Sequence, residues 1–207
     1  GWKVEQRRHQ ASVGVGAFNL VRAEAFHAIG GFRRIALSVD DDMQLGRALK
    51  WAGYQPRVLL GEGEVAVRWQ VGLGGMIRGL EKNFFSGANY RLSLVVWFSF
   101  AILVAGVGPF LGLFVGPIWT RAFCGLGVAV ILALTGLIGA QSRLNFAYGL
   151  LTPLSALILV WTLWRSALLT LIRGGVRWRG HLYSLNELRQ HVRLRERWMR
   201  EIWKSTR

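Results

Sequence analysis

Asp40, Asp41 and Asp42 form the one acidic cluster of the sequence. Adjacent carboxylates repel one another, so the cluster needs a structural or chemical reason. At the start of a helix, the three acids would cap backbone N–H groups and face the positive end of the helix dipole. Alternatively, a carboxylate held there could take a proton from an incoming hydroxyl, or Asp40 and Asp42 could ligate a divalent cation.

The residues around this cluster predict a mixed α/β arrangement that would hold it in place. Apolar residues at helical spacing predict a helix over Asp41–Trp51, with Gly53 as its C-terminal stop. A second, short helix is predicted upstream and ends at Gly30-Gly31. Three strands are predicted, at Val13–Leu20, Arg57–Leu60 and Val65–Trp69. The first of them contains Gly14 and Gly16.

The stretch from Leu73 to Tyr90 predicts an amphipathic helix. Its apolar residues Met76, Ile77, Leu80 and Phe84 share one face, and Arg78, Glu81 and Lys82 lie towards the other. We expect this helix to lie in the membrane interface, where charged side chains face the headgroups or water.

The composition assigns the rest of the chain to a membrane. The 207 residues carry a net charge of +15, yet 52% are hydrophobic, which excludes intrinsic disorder. Residues 92–172 contain three Arg and no acidic residue, whereas residues 1–91 and 173–207 carry net charges of +5 and +7. A long apolar block with basic flanks is typical of a membrane protein and argues against a soluble one.

Three uncharged segments within this block, 92–120, 122–142 and 144–164, are each long enough to cross a bilayer. Gly106, Gly108, Pro109 and Pro117 interrupt the first segment. The positive-inside tendency favours both chain ends in the cytoplasm, so we expect one segment, the first, not to cross fully.

The basic segment 173–207 has three interpretations: an interfacial helix that binds anionic lipid, a contact for substrate phosphates, or a nucleic-acid site. No nucleic-acid fold motif accompanies it, and we expect no nucleic-acid partner. The four His residues lack ligand spacing, and Cys124 is expected to be a small buried hydrophobe, so no metal site is predicted within the chain.

Four short motifs follow one another within 41 residues. They are Gly14-Val-Gly-Ala-Phe, Ile29-Gly-Gly-Phe32, Asp41-Asp-Met-Gln-Leu-Gly46 and Leu49-Lys-Trp-Ala-Gly-Tyr54. In this order they resemble the second half of the catalytic domain of membrane-bound family 2 glycosyltransferases, with the closest likeness to the ceramide-glucosyltransferase-like and hopanoid-associated branch. The stretch Gly174-Gly-Val-Arg-Trp-Arg-Gly-His-Leu-Tyr183 resembles the element that follows the last span in that family. The resemblance covers residues 12–91 best.

The resemblance implies an inverting transfer of a sugar from a nucleotide sugar to a lipid or lipid-linked acceptor. By the same likeness, Asp42 is the catalytic base and Asp41 the acid that precedes it, whereas Asp40 matches no residue of the family pattern. The implied substrate-binding residues are Gly14, Gly16, Gly30, Gly31, Arg78, Lys82, Trp178 and Arg179. The resemblance also implies a divalent cation, Mg²⁺ or Mn²⁺, with ligands outside this chain. Its setting would be glycolipid biosynthesis at a bacterial inner membrane, with the catalytic part and the tail cytoplasmic.

Two departures from the family pattern bear on this interpretation. Many relatives carry Gln-x-x-Arg-Trp on the interfacial helix, whereas this chain has Arg78-Gly-Leu-Glu-Lys82 there. The nucleotide-binding half of the family domain precedes the region seen here, so we expect a portion of a longer protein that shows no transferase activity alone. Two alternatives stay open: a non-enzymatic basic membrane or lipid-binding protein, and a processive polysaccharide synthase.

The expected fold is therefore mixed α/β and helix-dominated. It would consist of the C-terminal part of a GT-A-like domain (residues 1–72), an interfacial helix (73–91), a multi-pass membrane region (92–172) and a basic cytoplasmic tail (173–207).

Overall fold

The structure is a computed structural model that describes residues 11–59, 67–142, 145–178 and 180–205. The chain divides into two compact units: the first comprises Gly1–Tyr90 and Leu169–Arg207, and the second comprises Arg91–Leu168. The described elements are α1 (Ala23–Ala28), α2 (Asp41–Trp51), α3 (Gly72–Gly87), α4 (Leu92–Gly106), α5 (Gly108–Gly112), α6 (Ile118–Ser142), a 3₁₀ helix (Phe146–Leu151), α7 (Thr152–Ile172), β1 (Gly175–Trp178), β2 (His181–Ser184) and α8 (Leu185–Ser205).

Helix α2 begins and ends where the sequence predicted. Its end is a Schellman motif: the Tyr54 N–H donates to the Leu49 carbonyl, and the Gly53 N–H donates to the Lys50 carbonyl. This motif needs a left-handed residue, and Gly53 supplies it with a φ of +89°. The same pair of bonds ends α1 at Gly30 and α3 at Asn89, so both of these helices also stop at a defined residue.

The basic segment after residue 172 folds into a β-hairpin and a long helix. Strands β1 and β2 pair antiparallel, with Val176 opposite Tyr183. Ser184 and Glu187 then form a reciprocal capping box, in which each backbone N–H donates to the other residue's side chain. This box starts α8 directly after the hairpin.

Helix α8 packs on α2 and completes the core of the first unit. Met199 is fully buried in a cluster with Leu45, Ala48 and Trp51 of α2. Trp203 of α8 lies over Trp51, with ring centroids 5.6 Å apart. Helix α8, which lies within the segment expected to be a basic cytoplasmic tail, is therefore packed into the first unit.

The strand predicted over Val13–Leu20 is wrong, because this segment is not a strand in the structure. Its backbone lies against the start of α2, and a helix does not offer the regular ladder of hydrogen bonds that a strand needs. Phe18 and Leu20 are 65% and 90% exposed, so the segment also lacks the burial that its sequence suggested. Residues 57–59 and 67–69 are likewise not strands, and residues 60, 65 and 66 of the other two predictions lie outside the described residues.

In the second unit, glycine and proline break the first apolar segment. Helix α4 ends at Gly106, and the short helix α5 starts at Gly108 with Pro109 in its first turn. Pro109 lacks the N–H that a continuous helix would need at this point. The first segment is therefore divided between α4, which has 15 residues, the short helix α5 and the start of α6.

Helices α4 and α7 pack antiparallel through small and polar residues. The Trp164 indole N–H donates to the Ser99 hydroxyl at 3.0 Å, and seven residues along α4 a Cβ on Gly106 would lie 2.7 Å from the Cβ of Ala156. Small residues allow this approach of two helices, as is common between helices in bilayers.

Two described stretches, Ile118–Ala140 and Phe146–Ile172, have the length and apolar composition that a bilayer crossing requires. A third would be counted if α3 and α4 were taken as one bent stretch. Within the most apolar windows of the two stretches, only 11% and 22% of residues are buried. Their apolar side chains thus face outwards, which indicates association with a membrane.

Candidate functional site

The three acids at the start of α2 differ in the hydrogen bonds that their side chains make. Asp40 is the residue before the first helical turn, and its side chain makes no cap hydrogen bond. One Asp41 carboxylate oxygen accepts the Asp42 N–H at 3.0 Å. The Asp42 Oδ1 accepts the Met43 N–H at 2.8 Å. These backbone donors hold negative charge at the positive end of the α2 dipole.

Gly14 and Gly16 lie directly against Asp42. A Cβ on Gly14 would overlap the Asp42 backbone carbonyl, and a Cβ on Gly16 would lie 2.7 Å from the Asp42 Oδ2. One turn further along α2, a Cβ on Gly46 would overlap the Val13 carbonyl. Any other residue at these positions would push the segment away from the helix, so the glycines permit the close approach.

The Asp42 side chain is consequently held from two sides. Its Oδ1 is fixed by the Met43 N–H, and its Oδ2 faces the Gly16 backbone. The residue is half-buried. A carboxylate positioned in this way can accept a proton from a hydroxyl placed beside it.

Gly30 and Gly31 form the turn after α1 and have positive φ values of +79° and +60°. Their conformation ends the helix and orders the chain between α1 and α2. No atom lies within 4 Å of a Cβ placed on Gly30, whereas a Cβ on Gly31 would contact the Phe26 ring at 3.1 Å. The backbone conformation of this turn thus explains why glycine occupies both positions.

Asp40, which matches no residue of the family pattern, contacts both α2 and α8. The Gln44 amide donates to the Asp40 Oδ2 at 2.6 Å, and an Arg195 nitrogen lies 3.8 Å from the Asp40 Oδ1. Arg195 also donates to the Ser38 hydroxyl at 3.1 Å and is only 4% exposed. A basic residue of the terminal segment is therefore buried beside the acidic cluster.

Two titratable groups near Arg195, His191 and Tyr90, have shifted pKa values. Burial lowers the pKa of His191, and the positive charge of Arg195 adds to this effect. Burial also raises the pKa of the Tyr90 hydroxyl, which outweighs the opposite influence of its hydrogen bond with Ser86. Both groups are thus biased towards their neutral forms, which leaves Asp40 and Glu196 as the acids that balance Arg195.

Arg78 and Lys82, both implied as substrate-binding, lie together in a pocket of about 130 Å³ in the first unit. Arg173 and Arg177 line the same pocket, together with Glu81 and the buried Thr170. Arg173 donates to the Glu81 carboxylate at 2.9 Å. None of the residues that line this pocket belongs to the group formed by Asp42, Gly14 and Gly16, here called the Asp42 group.

Sequence reasoning missed Arg173 and Arg177. Both follow the apolar block 92–172, and Arg177 occupies a β1 position opposite Leu182. A search for basic residues directly after that block could have found Arg173, whereas Arg177 depends on a hairpin that was not predicted. Trp178 ends β1 opposite His181, and Arg179 lies outside the described residues.

No group of three or more His, Cys, Asp or Glu side chains is placed to hold a metal ion within the described ranges. Asp41 and Asp42 direct carboxylate oxygens to backbone N–H groups, and Asp40 is bound by Gln44 and faces Arg195.

No family model, curated protein or solved structure matches this chain.

Proposed function

We propose that this chain is part of a membrane-bound inverting glycosyltransferase of the GT-A type. It would transfer a sugar from a nucleotide sugar to a lipid or lipid-linked acceptor at the inner membrane of a bacterial cell. The observation that supports this proposal best is the close packing of Gly14 and Gly16 on Asp42. It joins two of the four motifs that carry the family resemblance.

In the proposed reaction, Asp42 is the general base. Its carboxylate takes the proton of the acceptor hydroxyl while that oxygen forms a bond to the anomeric carbon of the sugar. The bond between the anomeric carbon and the diphosphate breaks in the same step, and the diphosphate leaves with its electron pair. Attack from the side opposite the leaving group inverts the anomeric centre.

The geometry supports Asp42 over its two neighbours for this role. Asp40 is bound by Gln44 and faces the Arg195 guanidinium, and Asp41 accepts the Asp42 N–H. Asp42 has one oxygen held by the backbone and a second beside a glycine without a side chain. The second oxygen is the one we assign to proton transfer.

The membrane elements support an acceptor that is itself lipid. The two candidate spans would anchor the first unit at the bilayer, so an acceptor hydroxyl could arrive from the membrane surface. We further propose that both chain ends, and with them the first unit, lie in the cytoplasm, as the basic flanks favour.

A transfer assay tests the proposal. Membranes that contain the full-length protein would be incubated with radiolabelled UDP-glucose or UDP-N-acetylglucosamine. The masses of the extracted lipids would then be measured by mass spectrometry. We expect the mass of one lipid to increase by a single sugar. A polymer would instead identify a polysaccharide synthase, and the absence of any labelled product with a full panel of nucleotide sugars would favour a non-enzymatic lipid-binding protein.

A further inference from the structure

The pocket formed by Arg78, Lys82, Arg173 and Arg177 has an unusual charge balance. Among the described lining residues four are basic, and one, Glu81, is acidic. Arg173 forms an ion pair with Glu81 at 2.9 Å. The described lining thus holds three more basic than acidic side chains, and such an excess of positive charge favours an anion as the ligand.

The types of side chain favour a phosphate group as this anion. Arginine guanidinium groups donate parallel N–H bonds that match the oxygens of a phosphate, and lysine adds a point charge. Thr170, which is 5% exposed, also lines the pocket. The lining therefore combines the fork-shaped and point-charge donors typical of phosphate sites.

The position of the pocket along the chain points to a lipid as the source of the phosphate. Thr170 belongs to the last turn of the candidate span Phe146–Ile172, and Arg173 is the first residue after it. The end of a bilayer-spanning helix meets the headgroup layer, where lipid phosphates lie. Basic pockets at this level are suited to anionic headgroups.

We propose that this pocket binds the phosphate of an anionic phospholipid headgroup. Arg78 and Arg177 reach the phosphate from α3 and β1, and Arg173 is oriented by Glu81 at the end of α7. The bound lipid would fasten α3 and the hairpin to the membrane surface. This proposal does not depend on glycosyl transfer, because it concerns binding at residues other than the Asp42 group.

The test measures binding of short-chain lipids to the purified chain in an uncharged detergent, by microscale thermophoresis. The probes are dihexanoyl phosphatidylglycerol, dihexanoyl phosphatidylcholine, inorganic phosphate and UDP. One variant combines Arg78→Gln with Arg177→Gln. Its matched control combines Arg197→Gln with Arg200→Gln, which removes the same charge from exposed positions on α8. A third variant, Glu81→Gln, removes the one acid of the pocket.

We expect phosphatidylglycerol to bind more tightly than phosphatidylcholine. The pocket pair should weaken phosphatidylglycerol binding about thirtyfold, as the loss of two basic residues near an anionic headgroup implies, and the control pair should change it little. Glu81→Gln should tighten binding about fivefold, an increase that misfolding cannot produce. Circular dichroism spectra would show that each variant is folded.

Equal weakening by the pocket pair and the control pair would overturn the proposal, because the binding would then depend on total charge. Tighter binding of inorganic phosphate or UDP than of phosphatidylglycerol, with loss in the pocket pair, would overturn the assignment to a lipid.

Discussion

Arg47 and Glu196 form a two-bond ion pair that joins α2 to α8. One guanidinium nitrogen donates to the Glu196 Oε1 at 2.7 Å and the other to the Oε2 at 3.1 Å. The guanidinium also lies 4.2 Å from the centroid of the Trp51 ring. Both charged side chains are about one-quarter exposed, so solvent screens the pair only in part. The helix that carries Asp42 is thus fixed to the last helix of the chain.

This ion pair predicts how stability depends on pH. Burial would raise the pKa of Glu196, but the Arg47 hydrogen bonds and the charges of Arg47 and Arg195 outweigh it and lower the pKa. A carboxyl group with a lowered folded-state pKa stabilises the protein above its unfolded-state pKa. That contribution is lost as the pH falls through the folded-state pKa.

Glu196→Gln should therefore lower the free energy of unfolding by about 1 kcal/mol at neutral pH. The difference from the parent chain should shrink to zero in acid, where the parent's Glu196 becomes protonated. Thermal unfolding in detergent over a pH series measures both effects. Glu201→Gln, at an exposed position of the same helix, is the control. A difference between parent and Glu196→Gln that stayed constant down to strong acid would refute this account.

Arg195 should be the basic residue of the terminal segment on which folding depends most. Arg195→Met would leave Asp40 without its cation and Ser38 without its donor, so we expect a loss of about 3 kcal/mol. Arg200→Met, at an exposed position one turn beyond, should change stability by less than about 0.5 kcal/mol. Chemical unfolding followed by tryptophan fluorescence compares the two. Equal losses would show that Arg195 is not part of the core.

Gly46 should resist replacement by alanine, although alanine is the better helix former. A Cβ on Gly46 would overlap the Val13 carbonyl, so Gly46→Ala must push the glycine segment away from α2. We expect the free energy of unfolding to fall by about 1–3 kcal/mol. At Gly87 a Cβ would meet no atom within 4 Å, and Gly87→Ala should leave stability unchanged or slightly raised. The packing of the segment on α2 would be disproved if Gly46→Ala were as stable as Gly87→Ala.

Membrane topology is testable with a single cysteine near the end of α8. If both ends are cytoplasmic, Ser205→Cys in a Cys124→Ser background should react with an impermeant maleimide only after the cells are opened. The parent chain, with Cys124 within the apolar helix α6, is the control for background labelling. Labelling of Ser205→Cys in intact cells would place the terminus outside and refute the proposed orientation.

Local chemistry explains which parts of the fold were predictable. Helix α2 follows from apolar spacing and from Gly53, whose positive φ is needed where the Schellman motif closes. The break after Gly106 follows from Pro109. These features depend on residues close together in sequence, so a single sequence is sufficient to indicate them.

The parts that were missed depend on contacts between distant residues. Val13–Leu20 has the composition of a buried strand, yet its backbone packs on a helix 30 residues away along the chain. An arginine in a basic segment, such as Arg195, is expected to be solvated at the surface, yet Asp40 and Ser38 bind it in the interior. In the candidate site, Gly14, Gly16 and Asp42 belong to motifs that the sequence already placed in one group. The pocket around Arg78 could not be predicted, because it depends on the hairpin.

The proposed role of Asp42 as the general base is tested by Asp42→Asn. The amide has nearly the same shape and cannot accept the proton, so sugar transfer to the lipid fraction should fall by about 10²- to 10⁴-fold. Glu24→Gln, which makes the same chemical change at an exposed position on α1, should retain the parent rate. Equal amounts of each variant in the membrane would be established by immunoblotting. We expect loss of transfer for Asp42→Asn alone, and transfer at the parent rate by Asp42→Asn would rule out Asp42 as the base.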